Sequence, residues 1–365
     1  MTRGFSSQKY VSNLWLYVIK QNTMKHTMKK VLLLGLAALF CATTFAQGQE
    51  LLNLRFEARG DYQREYVDGS AVDANTGFKG QYFNVRADGN IGGGFSYSIR
   101  HRLNKKNNDA TFFDATDWVY LAYRKDNWEL SAGKQVVAIG GYEYDAAPID
   151  LYFCSEWWNH IPCYRWGGTV AYALNEGKDK FSLQICESPF RGDLQEDMLA
   201  YNLMWVGAHG WFSTLYSVNF VEYMPGKFIN YISLGSKFAV GDVTMELDLM
   251  NRAASGQTFL GKDYSVIGKV AWAPCDKLNM FAKASYDVNN ADTGKDYLIA
   301  PDTEITRVGA GVEYYPLQDG RNDVRIHVVG SYSFGDNTNP AGVLLDKQTY
   351  LSMGVTWRMN LLSFK

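Results

Sequence analysis

The 365-residue chain carries 36 Lys+Arg against 38 Asp+Glu, a formal net charge of −2, with 47% hydrophobic and 15% aromatic residues. That much apolar surface can bury a core, which excludes a disordered chain. The acidic balance argues against a nucleic-acid partner, and a slightly negative mean hydropathy excludes a bundle of membrane helices, each needing about 20 apolar residues.

Taken from the N-terminus, Lys29-Lys30 and the apolar run Val31 to Ala46 come first, with Thr44 and Ala46 at the small-residue positions before Gln47. This pattern reads as a cleaved secretory signal over 28–46. The run is short for a membrane anchor, and Phe40 before Cys41 disfavours a lipoprotein site. Residues 1–27 read as an upstream extension outside the fold. Six basic and no acidic residues fall within 1–46, so the exported chain from Gln47 holds 30 basic and 38 acidic residues, net −8.

From there apolar and polar residues alternate. Leu54, Phe56, Ala58 and Tyr62 fall opposite Arg55, Glu57, Arg59 and Asp61, and Val243, Met245, Leu247 and Leu249 opposite Thr244, Glu246 and Asp248. A period of two places each set on one side of a strand. Sixteen strands are predicted, at 51–64, 81–91, 95–104, 116–124, 128–135, 166–174, 180–187, 198–207, 211–221, 228–239, 243–252, 264–272, 278–287, 305–315, 323–334 and 348–360. Their connections alternate between short turns and longer stretches. That sorting, with an even strand count, predicts an all-β, transmembrane antiparallel β-barrel over 47–365, with short periplasmic turns and long external loops. All eight prolines fall in the predicted connections, as strand ladders require. The uncharged run Met198 to Val221 breaks at Gly207-Ala208-His209-Gly210, so a hairpin is favoured over a helix. Aromatics near strand ends (Trp118, Tyr120, Trp128, Tyr172, Trp205, Trp211, Trp272, Tyr314, Tyr315 and Trp357) are expected to form interfacial girdles against the lipid.

If the apolar sets face lipid, the polar sets line an aqueous lumen. Its predicted lining is Arg55, Arg59, Arg86, Arg100 and Arg102 on one side, with Glu57, Asp61 and Asp88 interspersed, and Glu246 and Asp248 further round, with Arg307. Such charges either oppose one another across the lumen as a transverse field or pair into neutral ladders along the wall. The connection 136–165 is the longest and too apolar for a flexible external loop. It is expected to fold inward as a constriction carrying Lys134, Glu143, Asp145, Asp150, Glu156 and Arg165.

The run Ser131-Ala132-Gly133-Lys134-Gln135, followed by Gly140-Gly141-Tyr142-Glu143, Pro148-Ile149-Asp150 and Gly167-Gly168, resembles the phosphate-selective porin O and P family. The resemblance is loose over the exported chain and reaches motif level only at about 131–172. It implies a sixteen-stranded, usually trimeric channel with inward-folded loops in a Gram-negative outer membrane. Phosphate members of the family use an arginine ladder leading to a lysine-rich constriction. This chain departs from that pattern, because its constriction is rich in Glu143, Asp145, Asp150 and Glu156.

Four cysteines follow the leader. Cys154 and Cys163 make one candidate disulfide, which export permits but spacing cannot select. The set Cys154, Glu156, His160 and Cys163 matches no established zinc spacing, so no metal is expected. No histidine accompanies a nucleophile motif and no phosphate-cradling glycine loop is present, so neither an enzyme nor a cofactor is expected. The resulting expectation is passive diffusion of small polar or anionic solutes, phosphate among them, through a water-filled pore. The alternative is a non-channel outer-membrane barrel acting as a structural or ligand-binding surface protein.

Overall fold

The computed structural model describes residues 50–105, 111–191, 197–292, 294–296, 298–320 and 322–364; the signal read at 28–46 and the extension 1–27 lie outside the described residues. Sixteen long strands run antiparallel to their sequence neighbours. They are β1 (Leu52–Val67), β2 (Gly77–Gly92), β3 (Phe95–Arg102), β4 (Thr116–Lys125), β5 (Trp128–Val136), β6 (Tyr164–Leu174), β7 (Asp179–Glu187) and β8 (Leu199–His209). The second half comprises β9 (Phe212–Met224), β10 (Lys227–Val240), β11 (Val243–Ala254), β12 (Asp263–Cys275), β13 (Leu278–Asn289), β14 (Thr303–Gln318), β15 (Asp323–Asp336) and β16 (Gln348–Phe364). β1 pairs with β16 from Leu52↔Phe364 to Val67↔Gln348, so the sheet closes into a barrel without a free edge. A two-residue strand, Ser70–Ala71, folds back on the end of β1.

Alternation builds the wall as expected. Phe83, Leu121, Leu183, Leu203, Leu247 and Met353 lie exposed on the outside, while Arg59, Arg100, Asn202, Asp248, Asp287 and Thr356 are buried inside. The two ends differ. One carries turns of two to four residues; the other carries the long connections, with one exception at 225–226, where β9 and β10 are joined by two residues. Several strands run past their predicted ends because the ladder continues beyond the apolar band. This carries β12 and β14 over Pro274 and Pro316, contrary to the expectation that every proline lies in a connection. Both sit where the register slips, between Trp272 and Cys275 and between Tyr314 and Leu317, so no ladder hydrogen bond is lost.

The belt at the short-turn end includes Trp128, Trp211, Trp272 and Tyr314, all exposed. Trp118 and Tyr120 do not join it. Regular alternation with outward Leu121 puts both on the lumen side. Trp118 pairs with Arg100 and lies 4.1 Å beneath its guanidinium, its indole N–H donating to Ser98 at 2.7 Å. The register shift beyond it adds Asp117 to the same face. Tyr120 pairs with lumen-facing Ser98 on the same face.

At the long-loop end, part of the interior is apolar. Val221, Tyr223, Ile229, Tyr231, Met250 and Ala254 point inward and pack against Val137, Ile139, Tyr144, Trp157 and Ile161 of the 137–163 connection, with Leu298 and Ile299. A hydrophobic core therefore occupies one side of the barrel mouth, and it explains why so apolar a connection leaves the surface.

Candidate functional site

The 137–163 segment docks along the inner wall through side chains of successive strands. Asn219 of β9 donates to the Ala138 carbonyl at 2.8 Å, and Ser217 and Ser233 bracket Gly140 at 2.8 Å each. Glycine is required at this crossing. A Cβ on Gly235 would sit 2.7 Å from the Gly141 Cα, and Gly141 itself has φ +108°. The Asp248 carboxylate then accepts the backbone N–H groups of Tyr142 and Glu143, both at 2.8 Å, at the start of the one-turn helix Tyr142–Asp145. Glu143 pairs with Lys283 of β13 at 2.6 Å, and both side chains are almost wholly buried.

Further on, Asp150 meets two arginines from β15 and β16: Arg325 at 2.8 Å and Arg358 through both oxygens at 2.7 and 2.8 Å. Burial pushes the Asp150 carboxyl upward, but the two guanidinium groups outweigh it and hold the group below the usual aspartate range. Arg59 donates to the Leu151 carbonyl at 2.6 Å, and Tyr152 to Glu313 at 2.6 Å. On the return, Asp287 accepts from the Glu156 N–H at 2.8 Å. The Glu156 carboxylate meets His160 at 2.7 Å and accepts from the backbone of Val343 and Leu344, tying in the last long connection.

The residues expected to line the pore face inward, but their charges are mostly paired locally. Arg59 pairs with Asp61, Arg86 with Asp88, Arg100 and Arg102 with Asp117, and Glu246 with Lys237, at 2.7 to 2.9 Å. Of the two arrangements open to these charges, opposed walls and neutral ladders, the pairs form the short-range kind. The physical reason is that buried charges without a close partner are costly. Arg55 lies by the short-turn end in a cavity of about 170 Å³ with Asp323 and Arg358. Arg307 donates to Ser331 at 3.0 Å and the Cys154 carbonyl at 3.4 Å, and no carboxylate pairs with it among the described residues.

Within the expected constriction set, Glu143, Asp150 and Glu156 are anchors rather than free charges. Asp145 is exposed. Arg165 is spent on the Pro189 carbonyl at 2.7 Å. Lys134 shares the outer face with Val119 and Trp166, and its ammonium donates to the Phe113 carbonyl at 2.7 Å, so it does not enter the lumen. Cys154 and Cys163 are both free thiols, as are Cys186 and Cys275. The helix Glu156–His160 lies between the first two, and Cys154 sits beside Lys283 and Arg307 whereas Cys163 lies against Ile161 and Tyr144. Burial raises the Cys154 thiol to about 12.

Sequence reading missed Asp117, Arg325 and Arg358 as partners. Their inward phase on alternating strands was visible, but Asp117 is displaced by the register shift, and the Asp150 clamp spans more than 170 residues. Between the docked segment and the wall of β1, β2 and β16 there remains a cavity of about 430 Å³. Its lining includes Arg59, Glu65, Tyr82, Tyr152, Arg307 and Tyr350.

The model of the phosphate-selective porin O and P family matches residues 52–258, more than half of the chain. The chain belongs to that family. No curated protein matches in sequence. Among solved structures, the trimer form of the in-vitro folded outer membrane protein OmpT of Vibrio cholerae is similar at 13% identity and TM-score 0.60, covering 85% of this chain and 100% of that one. The anion-selective porin from Comamonas acidovorans matches at 11% identity and TM-score 0.57, over 86% and 100%. The outer membrane channel DcaP of Acinetobacter baumannii matches at 13% and 0.57, over 86% and 99%. At these identities the likeness is one of fold, a sixteen-stranded porin barrel. The family and the barrel together make this protein an outer-membrane porin, a channel rather than an enzyme.

Proposed function

We propose that this porin passes small polar and anionic solutes by diffusion along an off-centre passage, bounded on one side by the docked 137–163 segment and on the other by β1, β2 and β16. The observation that carries this reading is the inward segment itself. It is pinned to the lumen by Asp248, Lys283, Arg325 and Arg358, yet leaves a polar cavity beside it. Local pairing of the arginines argues for weak anion preference rather than the strong field of an unpaired ladder. The chain is further proposed to be exported by the 28–46 signal, which is cleaved, and to assemble as a homotrimer in contact with outer-membrane lipid. A trimer is supported by the family and by the trimeric Vibrio relative.

Purified, refolded protein in a planar bilayer should give discrete conductance steps. A salt gradient should then yield a small reversal potential of anionic sign, and phosphate added to chloride should reveal any block. No steps from folded protein would instead favour a non-channel surface barrel. Cross-linking in native membranes should trap trimers, and N-terminal sequencing of the exported protein should begin at Gln47.

A further inference from the structure

Arg307 and Glu65 both line the 430 Å³ cavity, and each is 8% exposed. Neither has an ionic partner among the described residues. Arg307 is held by the Ser331 hydroxyl and the Cys154 carbonyl. Among the described residues the Glu65 carboxylate accepts only amide donors, from Asn75 at 3.0 Å and Gln348 at 2.9 Å. Elsewhere in the same lumen Arg59, Arg86, Arg100, Arg102, Arg325 and Arg358 each meet a carboxylate. One cation and one anion, each without a direct ion pair among the described residues, thus face a single space within electrostatic range of each other.

Register gives their separation. Arg307 lies level with Ser333 and Gln348, and Glu65 pairs with Tyr350, so three strand spacings divide them, about 14 Å between backbones. The side chains reach inward from there, leaving several ångströms between the charges. An extended dipeptide spans about 7 Å. The rings of Tyr350 and Tyr152 line the same cavity, with the Arg307 guanidinium 5.7 Å over Tyr350 and that of Arg59 4.5 Å over Tyr152. A phosphate dianion would gain one unpaired guanidinium but face the Glu65 carboxylate.

We propose that this cavity is a subsite for small zwitterionic solutes of the amino-acid and short-peptide class, with the solute carboxylate on Arg307 and its ammonium on Glu65. The proposal rests on the porin reading above, and deepens it by naming a solute class. The test is block of single-channel current by alanyl-alanine, its N-acetyl form and its C-terminal amide, on the full-length protein and on Arg307→Gln and Glu65→Gln. Titration calorimetry of the same compounds runs in parallel, and heat-modifiable gel migration confirms folding.

The dipeptide should block at least 10-fold more tightly than either singly charged analogue, and each substitution should weaken it at least 10-fold. The N-acetyl form should lose affinity only in Arg307→Gln, and the amide only in Glu65→Gln. Equal block by all three compounds, block insensitive to both substitutions, or tighter block by inorganic phosphate than by the dipeptide would overturn the proposal. A conducting channel that ignores the dipeptide would sink this subsite and leave the porin reading standing. Calorimetric binding without conductance would sink the porin reading and leave the subsite.

Discussion

Replacing Glu143 by Gln removes the carboxylate that pairs with Lys283 at 2.6 Å while keeping the side chain's size. The Lys283 ammonium, almost fully buried, would lose its ionic partner and be left with neutral acceptors, the amide oxygen of the new side chain and the Phe153 carbonyl at 2.9 Å, beside the Phe153 ring. Breaking a buried pair by deleting one partner costs about 3–5 kcal/mol, because the remaining charge stays desolvated. Each of the segment's neutral hydrogen bonds contributes only about 0.5–1.5 kcal/mol net, and this pair is more deeply buried than the other ionic anchor, Asp150 with Arg325 and Arg358. At about 1.4 kcal/mol per tenfold, the undocked population should rise by roughly two to three and a half orders of magnitude. In single-channel recordings that is a matching increase in excursions to a larger conductance. The double variant Glu143→Gln with Lys283→Met removes the stranded charge and should return most of the quiet baseline. If Glu143→Gln records like the wild type, or if the double variant is as noisy as the single one, the pair does not hold the segment.

The Gly235→Val variant should also enlarge the channel, since its Cβ alone would lie 2.7 Å from the Gly141 Cα; a normal conductance and normal thermal melting would count against close docking there. Asp150 gives a pH signature. Its carboxyl is held below the ordinary value near 3.9, so its ionic contribution is complete above that pH and is lost as pH falls through the lowered value. Wild-type conductance noise should therefore gain an acid step below about pH 4 that Asp150→Asn lacks, the variant being noisier already at neutral pH; an identical acid step in both would refute the assignment. Thiol chemistry follows from burial. A maleimide should label exposed Cys275 within minutes in folded protein and leave Cys154, raised to about 12, untouched until denaturation, with no mobility change on reduction.

The barrel was legible because a period of two survives single-residue errors: Leu247 and Leu249 point out and Asp248 in wherever the strand ends are drawn. The inward segment was legible from the same contrast, an apolar stretch where an external loop should be polar. Local irregularity was not legible. One slipped register turns Asp117 to the lumen beside Trp118, and bulges absorb Pro274 and Pro316. The apolar interior patch left a faint signal, since Phe220 and Val221 are consecutive apolar residues on opposite faces of β9. Long-range charge pairing was beyond reach. Nothing in the chain near Asp150 points to Arg358, 208 residues away, and only the closed wall brings them together. The pairs Arg59–Asp61 and Arg86–Asp88, two residues apart on one strand, were visible in the sequence, but which arginine would be left without a carboxylate was not.

The most direct test of the inward-folded segment as the element that narrows this channel is single-channel conductance after deletion of residues 140–160, with heat-modifiable migration showing that the barrel still closes. The conductance should rise severalfold and the reversal potential should move toward zero. A deletion variant that conducts as the wild type does would show that the passage is limited elsewhere, and that the docked segment is only a filler of the barrel interior.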